Sequence, residues 1–160
     1  MNPLCPMKSR KRLFSDCLLP ARAVVSKAPA ALIIGSDQVA VQQDTIVGKP
    51  KDHADAVGQL LSSSGKTITF FTSIALLNSI NGSLQTRVVP YAVRFRALTR
   101  KKIEHYLERE QPYGCCGSLR ADGLGIALLD RLSGEDPTAL IGLPLTILAQ
   151  MLEKEGFRVL

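Results

Sequence analysis

No apolar run in this 160-residue chain approaches the ~20 residues that a membrane-spanning helix requires. The longest uncharged stretch, Thr67 to Thr86, is broken by polar residues and by Asn81-Gly82, so it reads as strands joined by a turn. Metal-ligand spacing is also missing. Cys5 and Cys17 stand far apart, Cys115 and Cys116 are adjacent without a CxxC partner, and only His53 and His105 could assist. Structural zinc usually takes four nitrogen or sulfur ligands, which leaves reduced, partly buried thiols as the simpler reading. An excess of one charge is absent from most of the chain. Residues 1–30 hold Lys8, Arg10, Lys11, Arg12, Arg22 and Lys27 against Asp16 alone, a balance of +5, whereas the remainder stands at +1. A general grip on nucleic acid needs a basic face on the folded body, so a regulator binding DNA or RNA through this arm is the least favoured class, and no specific nucleic-acid partner is expected.

With 46% hydrophobic and 21% charged residues, the composition is that of a globular protein. A chain this long should bury roughly two thirds of its unfolded surface, enough for a core without staples. Residues 1–30 carry scattered prolines, the basic cluster and no sustained periodicity, and are expected to form a poorly ordered arm before a domain over residues 31–160. Ser15 and Asp16 interrupt the apolar patch Leu13 to Leu19, which argues against a secretory signal.

From Ala31 the run Ala-Leu-Ile-Ile predicts a buried strand ending in a tight turn at Gly35, which puts Asp37 just past the strand's C-terminal end. Ligand-binding groups often occupy such a place in open α/β sheets. A second short strand is expected near Val39 to Val41, then a turn at Gly48-Lys49-Pro50 and a helix capped by Asp52 running to about Ser62. Thr67–Leu77 and Leu84–Phe95 form a predicted antiparallel hairpin around Asn81-Gly82. Thr99 caps a helix with Ile103, Tyr106 and Leu107 at helical spacing, a strand is expected at Ile126 to Leu129, and Pro144 opens a last helix followed by Gly156. The class is α/β in the mixed α+β sense, a twisted mixed sheet with flanking helices.

Five strings in a fixed order carry a resemblance: Leu32-Ile33-Ile34-Gly35-Ser36-Asp37-Gln38-Val39, Gly48-Lys49-Pro50, Thr69-Phe70-Phe71-Thr72, Cys115-Cys116-Gly117-Ser118 with Gly123-Leu124-Gly125, and Gly142-Leu143-Pro144-Leu145. Over about residues 31–158 the sequence resembles the Maf family, and most of all its branch that hydrolyses 7-methyl-GTP. The resemblance implies a fold like that of inosine triphosphate pyrophosphatase. It further implies cytoplasmic hydrolysis of a nucleoside triphosphate between the α- and β-phosphates, with a divalent cation, Mg2+ or Mn2+, and a homodimer.

On this resemblance Asp37 matches the proton acceptor and a metal-binding carboxylate. A carboxylate can serve as base or hold a metal-bound hydroxide, though an aspartate capping a turn is the plainer reading of the residue alone. Gln38 matches a substrate-specificity position, where an amide can both donate and accept. Lys49 matches a lysine near the phosphates. Arg120 stands where the branch commonly has lysine, keeping a charge for phosphate but with a planar fork. Asp122 stands where the branch has glutamate, a second specificity position whose carboxylate suits a positively charged methylated purine. Cys115 and Cys116 read as packing residues.

The family opens with a strand, a Ser-x-Ser-x-x-Arg loop and a later acidic segment. Here Ser9-Arg10-Lys11-Arg12 is the nearest match, displaced and without the preceding strand, so no function is assigned to residues 1–30. A truncated or frame-shifted reading of a normal gene is one expectation. The other is a divergent protein that has lost part of its active site and persists as a nucleotide-binding remnant.

Overall fold

The computed structural model describes residue 19 and residues 23–160. Cys5, Cys17, the Ser9–Arg12 cluster and most of the expected basic arm lie outside the described residues; its remainder includes a 3-10 turn at Val25–Lys27. The elements that follow are β1 (Leu32–Gln42), β2 (Thr45–Val47), α1 (His53–Ser63), β3 (Thr67–Asn78), β4 (Leu84–Phe95), α2 (Arg100–Glu110), β5 (Leu129–Gly134) and α3 (Leu145–Lys154). The five strands form one sheet in the order β2-β1-β3-β4-β5, and β1 with β2 and β4 with β5 pair antiparallel. No helix among the described residues is long and apolar enough to cross a membrane.

Two compact units share these elements. One holds the described residues up to Gln38 with Phe71–Pro90 and Glu135–Leu160; the other holds Val39–Phe70 and Tyr91–Gly134. In the first, α3 buries Ile147, Leu148 and Met151, residues that helical spacing brings onto one face. The hairpin between β3 and β4 is closed by Asn78, whose N–H donates to the Ser83 carbonyl at 2.9 Å and whose carbonyl accepts from Gly82. In the second unit α1 and α2 pack on each other, and Val57 and Leu60 on the one and Ile103 and Leu107 on the other are all essentially fully buried. Both helix starts are as expected: the Asp52 side chain accepts from Asp55 N and that of Thr99 from Lys102 N.

Two local expectations are corrected. Gly35 makes no turn: β1 runs unbroken from Leu32 to Gln42, so Asp37 lies in mid-strand rather than beyond a strand end. The strand continues because the Ser36 hydroxyl lies against two distant carbonyls, those of Ser73 at 2.8 Å and Gly142 at 2.7 Å. The turn comes instead at Gln43 and Asp44, whose φ of 46° and 65° suit a two-residue hairpin of left-handed residues leading into β2. Likewise the strand expected at Ile126 to Leu129 is a 3-10 segment, Leu124–Leu128, and the strand follows at Leu129–Gly134.

Candidate functional site

Asp37 and Gln38 belong to the first unit, and Lys49, Arg120 and Asp122 to the second. Along β1 side chains alternate between faces, so Ser36 and Gln38 share one face and Asp37 takes the other. Gln38 Nε2 donates to Thr72 Oγ1 at 3.0 Å and to the Ala139 carbonyl at 2.8 Å, and the Thr72 hydroxyl donates to that same carbonyl at 2.7 Å. With Ser36 on Gly142, these bonds fasten the strand on both sides of Asp37 to the segment Pro137–Gly142. The Asp37 backbone carbonyl takes a further bond from Ser73 Oγ. Its side chain is half-buried and, among the described residues, its carboxylate enters no hydrogen bond or ion pair.

The segment that receives Ser36 and Gln38 is itself held by a residue outside the expected set. Asp136 is fully buried, and its two carboxylate oxygens accept from the N–H and the hydroxyl of Thr138 and of Thr146. Pro144 offers α3 no side-chain cap, so Asp136 satisfies the Thr146 N–H in the helix's first turn in its place. Desolvation pushes this carboxyl up; the bonds from Thr138 and Thr146 outweigh it and hold it below the ordinary carboxylate range. Asp136-Pro137-Thr138 is a readable capping signal, with aspartate before a proline that opens a turn.

In the second unit Arg120 meets Asp122 as an ion pair, and the charges of both, with those of Glu110 and Lys49, act on the Cys115 thiol. Burial pushes that thiol up, with Arg120 pulling the other way, so Cys115 is no ready nucleophile near neutral pH. The Gly48 carbonyl accepts from Gly117 N at 3.0 Å and from Gln59 Nε2 at 3.4 Å, and Gln59 Oε1 accepts from the Ser118 hydroxyl at 2.7 Å. One glutamine on α1 thus joins the Gly48-Lys49-Pro50 turn to the Cys115–Ser118 loop. Lys49 is exposed and, among the described residues, has no carboxylate partner.

Arg120 is differently placed. Its guanidinium lies 3.3 Å from Glu110 and 3.5 Å from Asp122, between a carboxylate that is 10% exposed and one that is 55% exposed. Its backbone is gripped as well: the Tyr106 hydroxyl accepts from Arg120 N at 2.9 Å and donates to the Ser118 carbonyl at 3.1 Å. Gly123 N and Gly125 N both donate to the Arg120 carbonyl, and Glu110 Oε2 accepts from Leu124 N at 2.6 Å. The Gly-Leu-Gly string is therefore a wrap around Arg120 and Glu110. A Cβ on Gly125 would stand 2.3 Å from the Arg120 carbonyl oxygen, and one on Gly123 2.5 Å from Glu110 Oε1. Glu110 and the Tyr106 hydroxyl were not legible as site residues, because a charge ending a helix normally reads as solvated and Tyr106 as core.

Among the described residues no group of three His, Cys, Asp or Glu side chains is gathered to hold a metal. Asp37 would offer such an ion one uncommitted carboxylate, a hard oxygen ligand of the kind Mg2+ or Mn2+ takes alongside water and substrate phosphates.

Comparison with known proteins agrees with the motifs. The Maf-like protein family model matches residues 16–155, reaching further toward the N-terminus than the five strings. A 7-methyl-GTP pyrophosphatase of Nitrosococcus oceani is 53% identical over 140 residues, covering 88% of this chain and 70% of that protein. The protein of the same name from Nitrosospira multiformis is 49% identical over 138 residues, 86% of this chain and 70% of its own. One from Pseudomonas fluorescens is 52% identical over 136 residues, 85% of this chain and 71% of its own. A match over most of the sequence and half-identical relatives over most of their own length place the chain in the Maf family.

Proposed function

We propose that the chain is a nucleoside triphosphate pyrophosphatase that converts 7-methyl-GTP and water to 7-methyl-GMP and pyrophosphate. The water oxygen bonds to the α-phosphorus, the bond from that phosphorus to the α,β-bridging oxygen breaks, and the bridging oxygen leaves with pyrophosphate. What supports the reading is the uncommitted, half-buried carboxylate of Asp37 on a strand whose neighbouring residues are tied down. Asp37 accepts the proton of the attacking water, a role worth about 10²–10⁴ in rate when the base is well placed. Lys49, with no carboxylate partner among the described residues, supplies charge to the phosphates. Arg120 adds to that charge while holding Asp122, whose carboxylate faces a purine made positive by methylation. Gln38 acts on specificity by holding the strand against residues 139–140. A divalent ion at Asp37, when bound, neutralises phosphate charge. We assign the reaction to the cytoplasm, where reduced thiols such as Cys115 and Cys116 persist, and the working form to a homodimer.

The test is pyrophosphate release from 7-methyl-GTP with Mg2+ or Mn2+, comparing the natural chain with Asp37→Asn. A fall of about 100-fold or more is expected, since the amide cannot accept the proton. Equal rates would remove Asp37 from the mechanism. Absence of turnover in both, with calorimetric binding of 7-methyl-GTP retained, would replace hydrolysis by nucleotide binding alone.

A further inference from the structure

One face of α2 carries Lys102, His105, Tyr106 and Arg109, spaced so that helical periodicity stacks them in a single stripe. That stripe forms one wall of a cavity of about 270 Å³. Leu124, Ala127 and Leu128 of the 3-10 segment contribute apolar wall, and Arg96 and Leu98, from the connection between β4 and α2, also line it. The cavity lies within the second unit, and none of Asp37, Lys49, Arg120 and Asp122 lines it.

Its charge is one-sided. Arg96, Lys102, His105 and Arg109 are all basic side chains, and among the described residues no carboxylate lines the cavity. None of the four enters an ion pair among the described residues, whereas Arg87, Arg94, Arg100 and Arg120 each face a carboxylate. Arg96 is held in place: its Nε donates to the Leu129 carbonyl at 2.7 Å and its backbone N to Leu128 O at 2.9 Å. An apolar hollow ringed by uncompensated cations costs free energy through mutual repulsion, and an anion relieves it. A hydrated inorganic anion would leave the leucine wall wet. An anion with a flat apolar body satisfies both surfaces, and the volume is at the small end of ligand pockets.

We propose that this cavity is a binding site for a small organic anion with an aromatic or otherwise flat apolar body, separate from the residues assigned to hydrolysis. The proposal does not depend on the pyrophosphatase reading, and its test reads binding rather than turnover. The probes are 8-anilinonaphthalene-1-sulfonate, followed by its fluorescence on the full chain, and N-phenyl-1-naphthylamine, which has the same aromatic body without the charge. The sulfonate should bind at one site, at least tenfold more tightly than the neutral dye, and more weakly as salt rises. Lys102→Glu and Arg109→Glu, exposed substitutions that leave the core intact, should each weaken it about tenfold, and Ala127→Leu should abolish it by filling the cavity. Unaltered thermal melting in each variant excludes misfolding as the cause. Equal affinity for the two dyes, or sulfonate binding unaffected by all three substitutions, would overturn the proposal.

Discussion

Glu110 reaches the Arg120 guanidinium at 3.3 Å from a carboxylate that is only 10% exposed, and the same carboxylate accepts the Leu124 N–H at 2.6 Å. It links the end of α2 to the loop that carries both Arg120 and Asp122. Glu110→Gln keeps an acceptor for Leu124 but removes the charge. Because Arg120 is 52% exposed, solvent screening limits the loss to about 0.5–1 kcal/mol. Urea unfolding at low and high salt checks this: the gap between the two proteins should narrow as salt rises.

Gly123→Ala and Gly125→Ala separate a movable obstacle from a fixed one. The added methyl at 125 meets a backbone carbonyl that already accepts two N–H bonds, whereas at 123 it meets a side chain that can swing away at the expense of Arg120. Gly125→Ala should therefore cost more than Gly123→Ala, in the range of about 1–3 kcal/mol or beyond for overpacking. Equal melting temperatures for the two variants would contradict the wrap.

Tyr106 should make the protein sensitive to alkali. Burial pushes its phenol well above the ordinary tyrosine value, and its bond from Arg120 N only partly opposes this. With the folded pKa raised, the contribution to stability is complete below the unfolded value of about 10 and is lost as pH rises beyond it. Tyr106→Phe should lower stability near neutral pH by about 1–3 kcal/mol, since the Arg120 N–H and Ser118 carbonyl both lose a partner. Above about pH 10 the two proteins should converge, as read from unfolding midpoints across the alkaline range.

Asp136 acts at the other end of the scale. Its folded pKa is depressed, so its stabilisation is present above the unfolded value of about 3.9 and disappears as pH falls toward the folded one. Asp136→Asn cannot accept four bonds through two oxygens, and should cost about 2–3 kcal/mol at neutral pH while flattening the acid limb of the stability curve. Melting temperatures between about pH 7 and pH 2.5 would show it. A parallel offset of the two curves would mean that Asp136 is not the group titrating there.

What the sequence determined by itself is everything that depends on neighbours within a few residues. Asp52 and Thr99 cap helices three residues ahead, Asn81-Gly82 turns a hairpin, and the five strings identify the family before any coordinate is known. Where the reading missed, a bond to a remote residue had overridden the local signal. Gly35-Ser36 reads as a turn until the Ser36 hydroxyl meets Gly142, 106 residues away. Gln43-Asp44 lacks the glycine that marks most such hairpins, and Glu110 looks like one more solvated charge on a basic and acidic helix. Only the tertiary structure could set Glu110 against Arg120, hold Thr146 on Asp136, and leave the Asp37 carboxylate uncommitted among the described residues. Propensity and periodicity act over a turn of chain, whereas these pairings exist only after the backbone has brought distant donors and acceptors within about 3 Å.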